Sequence, residues 1–166
     1  GQSGLEGERG VPKSIAAYLA IDRFGKSPLP IIAAINGYCY GGGAALAISC
    51  DIRYASETAT FRLPGAEYGL VVGAATLPRL VGAARAKELI FSAKKFDALE
   101  AERWGLVNKV CEDDDLLSEV ILLAEQIAKN STTAVKESKR VIDAATIDSN
   151  VGKLEDDINR GLRGSP

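Results

Sequence analysis

The sequence predicts an α/β fold, and three observations carry that prediction. Ile31–Ile35 is a continuous apolar run of the kind that suits a strand buried on both faces. After a turn at Asn36-Gly37, three glycines, Gly41-Gly42-Gly43, open a helix of entirely apolar residues, Ala44 to Ile48. Strand–helix alternation then gives way to helical periodicity in the last third of the chain.

Taken in order, residues 1–13 are rich in Gly, Ser, Glu and Arg and read as a loop. Ser14 can cap a helix to about Phe24, with Ile15, Leu19 and Ile21 on its inner face. Ser27-Pro28-Leu29-Pro30 stops it, because proline has no amide hydrogen and pushes the residue before it out of the helical region. The buried strand follows, then the glycine-led helix to about Cys50. An all-round apolar helix is expected to be buried. Ile52–Ala55 and Thr60–Arg62 read as short strands. Gly73 to Gly82 includes a helical turn broken by Pro78. Ala83–Ser92 and Ala98–Trp104 are expected helices, with Val107–Val110 a short strand.

In 113–129, Leu116, Leu117, Val120, Ile121, Leu123, Ala124, Ile127 and Ala128 recur at helical spacing. Asp113-Asp114-Asp115 sits at the positive end of that helix and reads as a solvated helix start, not a metal site. A second helix follows from about Thr132, with Val135, Val141, Ile142 and Ala145 on one face.

Composition bounds the function. A chain of 166 residues is long enough for one domain with a real core. A net charge of −2 and a pI near 5.3 argue against a nucleic-acid binder, which needs a basic face. No uninterrupted apolar run reaches the length of a membrane span. With no histidine in the chain, neither a Ser-His-Asp nor a Cys-His apparatus can be assembled within it, and histidine-ligated zinc is excluded. The three cysteines are expected to be free thiols in a reducing compartment, the cytoplasm or a eukaryotic mitochondrion. There is also no methionine, even at residue 1, which is expected of an incomplete reading frame.

The glycines admit several readings. A phosphate loop needs Lys-Ser/Thr after them, and Ala44-Ala45 follows instead. A dinucleotide fingerprint needs a glycine where Leu46 stands. Two readings stay open on the glycines alone. One is close helix–strand packing. The other is a bare helix start whose amides and dipole receive an anion, or half of an oxyanion hole if the guest is a reacting carbonyl.

Asn36-Gly37-Tyr38-x-x-Gly41-Gly42-Gly43, followed by Cys50-Asp51-Ile52-Arg53-Tyr54-Ala55, resembles the core of the enoyl-CoA hydratase/isomerase (crotonase) superfamily. The similarity runs on through Phe61, Pro64, Gly69, Leu77-x-Arg79-Leu80-x-x-Gly82, Ala86-Lys87-Glu88-Leu89 and Ala101-x-x-Trp104-Gly105-Leu106-Val107, covering about residues 27 to 140. The resemblance implies a ClpP/crotonase spiral of ββα units with C-terminal helices. Residues 1–112 would be the spiral core, and 113–166 the helical region of the same domain. Measured against the family, the chain is expected to be short at both ends, with Gly1-Gln2-Ser3 the remains of a Gly-x-Asp loop that carries the second oxyanion amide.

Further implications are an acyl-CoA thioester as substrate, with coenzyme A entering only as part of it, no permanent cofactor and no metal. Family members act in fatty acid metabolism as lyases or isomerases and assemble as homotrimers or homohexamers. Gly42 would supply an oxyanion-hole amide, and Tyr40, Gly41, Pro64, Gly65, Tyr68 and Gly73 would line the substrate site.

Two positions depart from the hydratase pattern. Hydratases of the family carry a glutamate two residues after the third glycine, where this chain has Ala45. They carry another after the proline of P-E-x-x-x-G, where this chain has Gly65. The expectation is therefore an enolate-stabilising family member without efficient water addition, or a catalytically inactive crotonase-like binding protein. In an extended stretch Glu67 would share a face with Gly65, which makes it the candidate replacement acid/base. Tyr38, Tyr40 and Tyr68 are further polar candidates.

Overall fold

The structure, a computed structural model, describes residues 21–163. The expected loop over 1–13, its Gly1-Gln2-Ser3 start and the Ser14 cap lie outside them. Residues 21–25 are helical, and Ser27 to Pro30 follow as irregular chain.

Six strands form two three-stranded sheets. β1 (Ile32–Ile35), β3 (Ile52–Ser56) and β6 (Lys109–Cys111) make one, in the order β1-β3-β6, all parallel. β2 (Tyr38–Tyr40), β4 (Thr60–Arg62) and β5 (Phe96–Asp97) make the other, with β2 and β4 parallel and β5 antiparallel. Each repeat gives its first strand to one sheet and its second to the other before a helix: β1, β2, then α1 (Gly42–Ser49); β3, β4, then α2 (Leu77–Val81) and α3 (Ala83–Ser92). α4 (Ala98–Arg103) joins β5 to β6, and α5 (Leu116–Ala128), α6 (Thr132–Thr146) and α7 (Ser149–Arg163) complete the chain. This is the ββα spiral with C-terminal helices.

The core lies between the sheets and the helices. Ala44, Ala47 and Ile48 of α1 meet Phe61, Leu63, Leu77, Leu89 and Phe96. Arg53 belongs to this interior at 3% exposure. Its Nε donates to the Leu106 carbonyl at 2.6 Å, and one terminal nitrogen donates to Cys50 O at 2.6 Å and Ala47 O at 3.3 Å. A buried cation is tolerated there because it sits among the free carbonyls at the negative end of α1. It ties that end to the segment entering β6.

Several expectations are corrected. Tyr38–Tyr40 is a strand, not only the turn before the glycines: Asn36-Gly37 moves the chain from one sheet to the other, where Tyr38 pairs with Thr60 and Tyr40 with Arg62. β1 is not buried on both faces; only Ile35 is buried, because β1 is the edge of its sheet among the described residues. α1 is not buried all round, since Leu46 is 37% exposed and Gly42 and Gly43 are exposed. Pro78 does not break a helix. It occupies the first turn of α2, where the missing amide hydrogen costs nothing. The expected strand at Val107–Val110 forms at Lys109–Cys111, and Ala98–Trp104 ends as a helix at Arg103. α7 is a separate helix that the reading of the last third did not resolve. No residue of α6 or α7 is fully buried, and Val141, Ile142 and Leu154 are each more than half exposed.

Candidate active site

The site is built from the start of α1 outward. Gly41 is its N-cap, with φ 52° and ψ −113°. A left-handed φ of this kind is strained for any residue with a Cβ. The Gly41 amide donates to Arg62 O at 3.1 Å, and its carbonyl accepts from Ala45 N at 2.9 Å. The first helical amides that follow have no partner inside an α-helix. No side chain caps α1, its first turn holds no acidic residue, and among the described residues no atom lies within 4 Å of a Cβ built at Gly42 or Gly43. An uncapped, positively polarised terminus suits a carbonyl oxygen gaining negative charge.

Pro64 borders this opening, its Cγ 3.9 Å from where a Gly41 Cβ would stand. Gly73 lies further along the same helix: its ideal Cβ would fall 2.9 Å from Ile48 Cδ1 and 3.1 Å from Leu63 Cδ2. Pro64 thus lies beside the start of α1 and Gly73 beside Ile48 near its end, while the Gly65–Tyr68 turn between them packs against α3.

Gly65 is buried, and a Cβ there would lie 2.8 Å from Leu70 O and 3.1 Å from Val72 Cβ. The Leu70 amide also donates to Gly65 O at 2.8 Å, so backbone closes over this position. Gly65→Ala is expected to lower stability by about 1–3 kcal/mol, the usual cost of overpacking, because a main-chain carbonyl has to move. Thermal or denaturant unfolding of the variant measures it, and an unchanged midpoint would show that the loop yields freely.

The extended path that would put Glu67 on the face of Gly65 is absent. Gly65–Tyr68 is a 3₁₀ turn, with Glu67 N bonded to Pro64 O at 3.1 Å. In a turn of three residues, positions i and i+2 no longer share a face. Glu67 accordingly does not follow Gly65. Its side chain is 46% exposed and forms a salt bridge with Arg62, whose Nε also donates to Ala93 O at 2.7 Å. Tyr68 is 68% exposed on the same turn, and Tyr38 is 86% exposed. The half-buried Tyr40 has its hydroxyl 2.8 Å from Thr60 Oγ1, which commits it to the β2–β4 pair.

The cysteines offer no nucleophile. Burial, with Cys50 adding to it, pushes the Cys39 thiol up to about 11, and burial also raises Cys50 and Cys111. A thiol so raised carries little thiolate near neutral pH. An apolar groove of about 280 Å3 between β1 and helices α5 and α6, lined by residues such as Leu29, Ile32, Ile127 and Val135, shares no residue with the glycine region.

Sequence reasoning missed two polar residues at the site. Glu155 and Asn159 of α7 bond to the backbone of the 70–76 segment. Their i, i+4 spacing places them on one helix face, but nothing local says what that face meets.

The family model for enoyl-CoA hydratase/isomerase matches residues 14–160. Over 110 residues the chain is 49% identical to a mevalonyl-coenzyme A hydratase of Aspergillus fumigatus, covering 64% of this chain and 41% of that protein. Over 126 residues it is 48% identical to a short-chain-enoyl-CoA hydratase of Clostridioides difficile, covering 74% of this chain and 81% of that one. A crystal structure of an enoyl-CoA hydratase/isomerase from Pseudoalteromonas atlantica superposes with a TM-score of 0.84 at 35% identity, over 96% of this chain and 65% of the other. A monofunctional enoyl CoA isomerase from M. smegmatis superposes with a TM-score of 0.72 at 35% identity, over 80% and 64%. The chain thus spans less than half the length of the Aspergillus relative. Among the described residues no helix is long and apolar enough to cross a membrane.

Proposed function

Because the chain belongs to the enoyl-CoA hydratase/isomerase family, we propose that it binds an acyl-CoA thioester and stabilises the enolate formed from it. The observation that carries the reading is the uncapped start of α1, where no described atom lies within 4 Å of a Cβ built at Gly42 or Gly43. The thioester oxygen accepts the Gly42 N–H, and a second amide from elsewhere in the protein completes the oxyanion hole. Charge that develops on that oxygen meets donors already in place, so no reorganisation opposes the step. Pro64, Gly65 and Gly73 form the wall beside the acyl group, with Tyr40, Gly41 and Tyr68 around the site.

Ala45 and Gly65 stand where hydratases of this family carry glutamates, so the reaction is enolate protonation or double-bond isomerisation rather than efficient water addition. Glu67, if released from Arg62, is the carboxylate of this segment available for proton transfer. One observation favours the second reading, a binding protein without catalysis: Glu67 is exposed and ion-paired. Homotrimers or homohexamers complete the proposal, and the exposed apolar side chains of α5 to α7 support it.

The test is a structure with an unreactive acyl-CoA analogue. The Gly42 nitrogen is expected within about 2.7–3.2 Å of the thioester oxygen. A carbonyl directed away from α1 overturns the assignment.

A further inference from the structure

Four hydrogen bonds join the C-terminal helix to the wall of the site. Asn159 Oδ1 accepts the Val71 N–H at 2.9 Å, and its Nδ2 donates to Val71 O at 2.5 Å. The two carboxylate oxygens of Glu155 accept separate amides, Gly73 N–H at 2.8 Å and Ala75 N–H at 2.7 Å. All are partly buried and span 80 to 88 positions of sequence. They fall at and around Gly73, whose ideal Cβ would fall 2.9 Å from Ile48 Cδ1 of α1 and 3.1 Å from Leu63 Cδ2. Val71, Gly73 and Ala75 alternate along an irregular loop, which cannot satisfy those amides within itself. Glu155 and Asn159 substitute for a neighbouring strand.

We propose that Glu155 and Asn159 are positioning residues: they latch α7 onto residues 71–75 and thereby fix the wall that holds the acyl group against α1. The latch acts through the loop, not on the reacting atoms, so its expected signature is acyl selectivity. The proposal rests on the reading of the α1 region as the thioester site, and its test has one arm independent of that reading.

Glu155→Gln keeps the shape but turns an NH2 group toward one of the two amides, leaving two donors face to face. Asn159→Asp turns a carboxylate oxygen toward Val71 O and loses the donor. Each variant is made in the intact protein, with Asp157→Asn as a control on an exposed side of α7, where Asp157 pairs with Arg160.

The first measurement is amide hydrogen exchange. Residues 70–76 are expected to exchange at least about tenfold faster in both latch variants, with β1, β3 and α1 unchanged. The second is the affinity ratio for two unreactive ketone analogues that keep the carbonyl and replace the thioester sulfur by CH2, butyryl-dethia-CoA and decanoyl-dethia-CoA, which is expected to shift at least about fivefold, since a loosened wall alters fit to the longer chain. Unchanged exchange at 70–76, faster exchange spread over the whole chain, or an unaltered ratio overturns the latch. A wild-type protein that binds neither ketone analogue overturns the thioester reading instead, and the exchange result then judges the latch alone.

Discussion

Gly42→Pro is expected to lower turnover of the acyl-CoA substrate by about 10²–10³-fold, the usual effect of removing one oxyanion donor. The substitution is unusually clean here. Gly42 is the first helical residue of α1, a position that proline favours because its amide has no partner within the helix. Among the described residues a Cβ at Gly42 meets nothing within 4 Å, and the residue before it, Gly41, has no Cβ to clash with the proline ring. The fold should therefore survive while one N–H is deleted, and circular dichroism checks that it does. A folded Gly42→Pro protein with undiminished turnover would remove Gly42 from the mechanism.

If Ala45 and Gly65 occupy the hydratase glutamate positions as proposed, hydration of crotonyl-CoA is expected to run at least about 10²-fold below an ordinary hydratase of the family, since a positioned acid or base contributes about 10²–10⁴-fold. The chain has no histidine to stand in for them. The structure adds a constraint on repair. A glutamate at Ala45 starts from a half-buried position on α1, whereas one at Gly65 starts with its Cβ 2.8 Å from the Leu70 carbonyl. Ala45→Glu alone is expected to leave hydration slow, and Gly65→Glu to destabilise the protein before it can help. A spectrophotometric assay of the enoyl thioester decides it, and wild-type turnover at the level of an ordinary hydratase would refute the reading. A similarly low rate for isomerisation would favour the binding protein over the enzyme.

The two predictions differ in what made them visible. That a glycine-led helix follows a buried-type strand is local information, carried by Ile31–Ile35 and by the glycine run. The bounds of α3, Ala83–Ser92, were equally legible, because helical periodicity repeats within the segment itself. The absence of histidine and of glutamate at 45 and 65 needed no structure at all.

What sits opposite a residue is not local. Tyr38–Tyr40 is three residues long and becomes a strand only because Thr60–Arg62 lies beside it. The stretch 64–69 carries no period to separate an extended path from a 3₁₀ turn, and the turn sends Glu67 to Arg62 instead of leaving it on the face of Gly65. Arg53 reads as an ordinary polar strand residue until the end of α1 and the Leu106 carbonyl close around it.

The sequence by itself determined the α/β class, the glycine-led helix, the family and the absence of glutamate at 45 and 65, because these depend on residue type and short-range spacing. Only the tertiary structure decided which amides are open, that Gly65 is closed by backbone, and that Glu155 and Asn159 reach Val71, Gly73 and Ala75. Those contacts join residues 80 to 88 positions apart and are selected by packing, which no local pattern encodes.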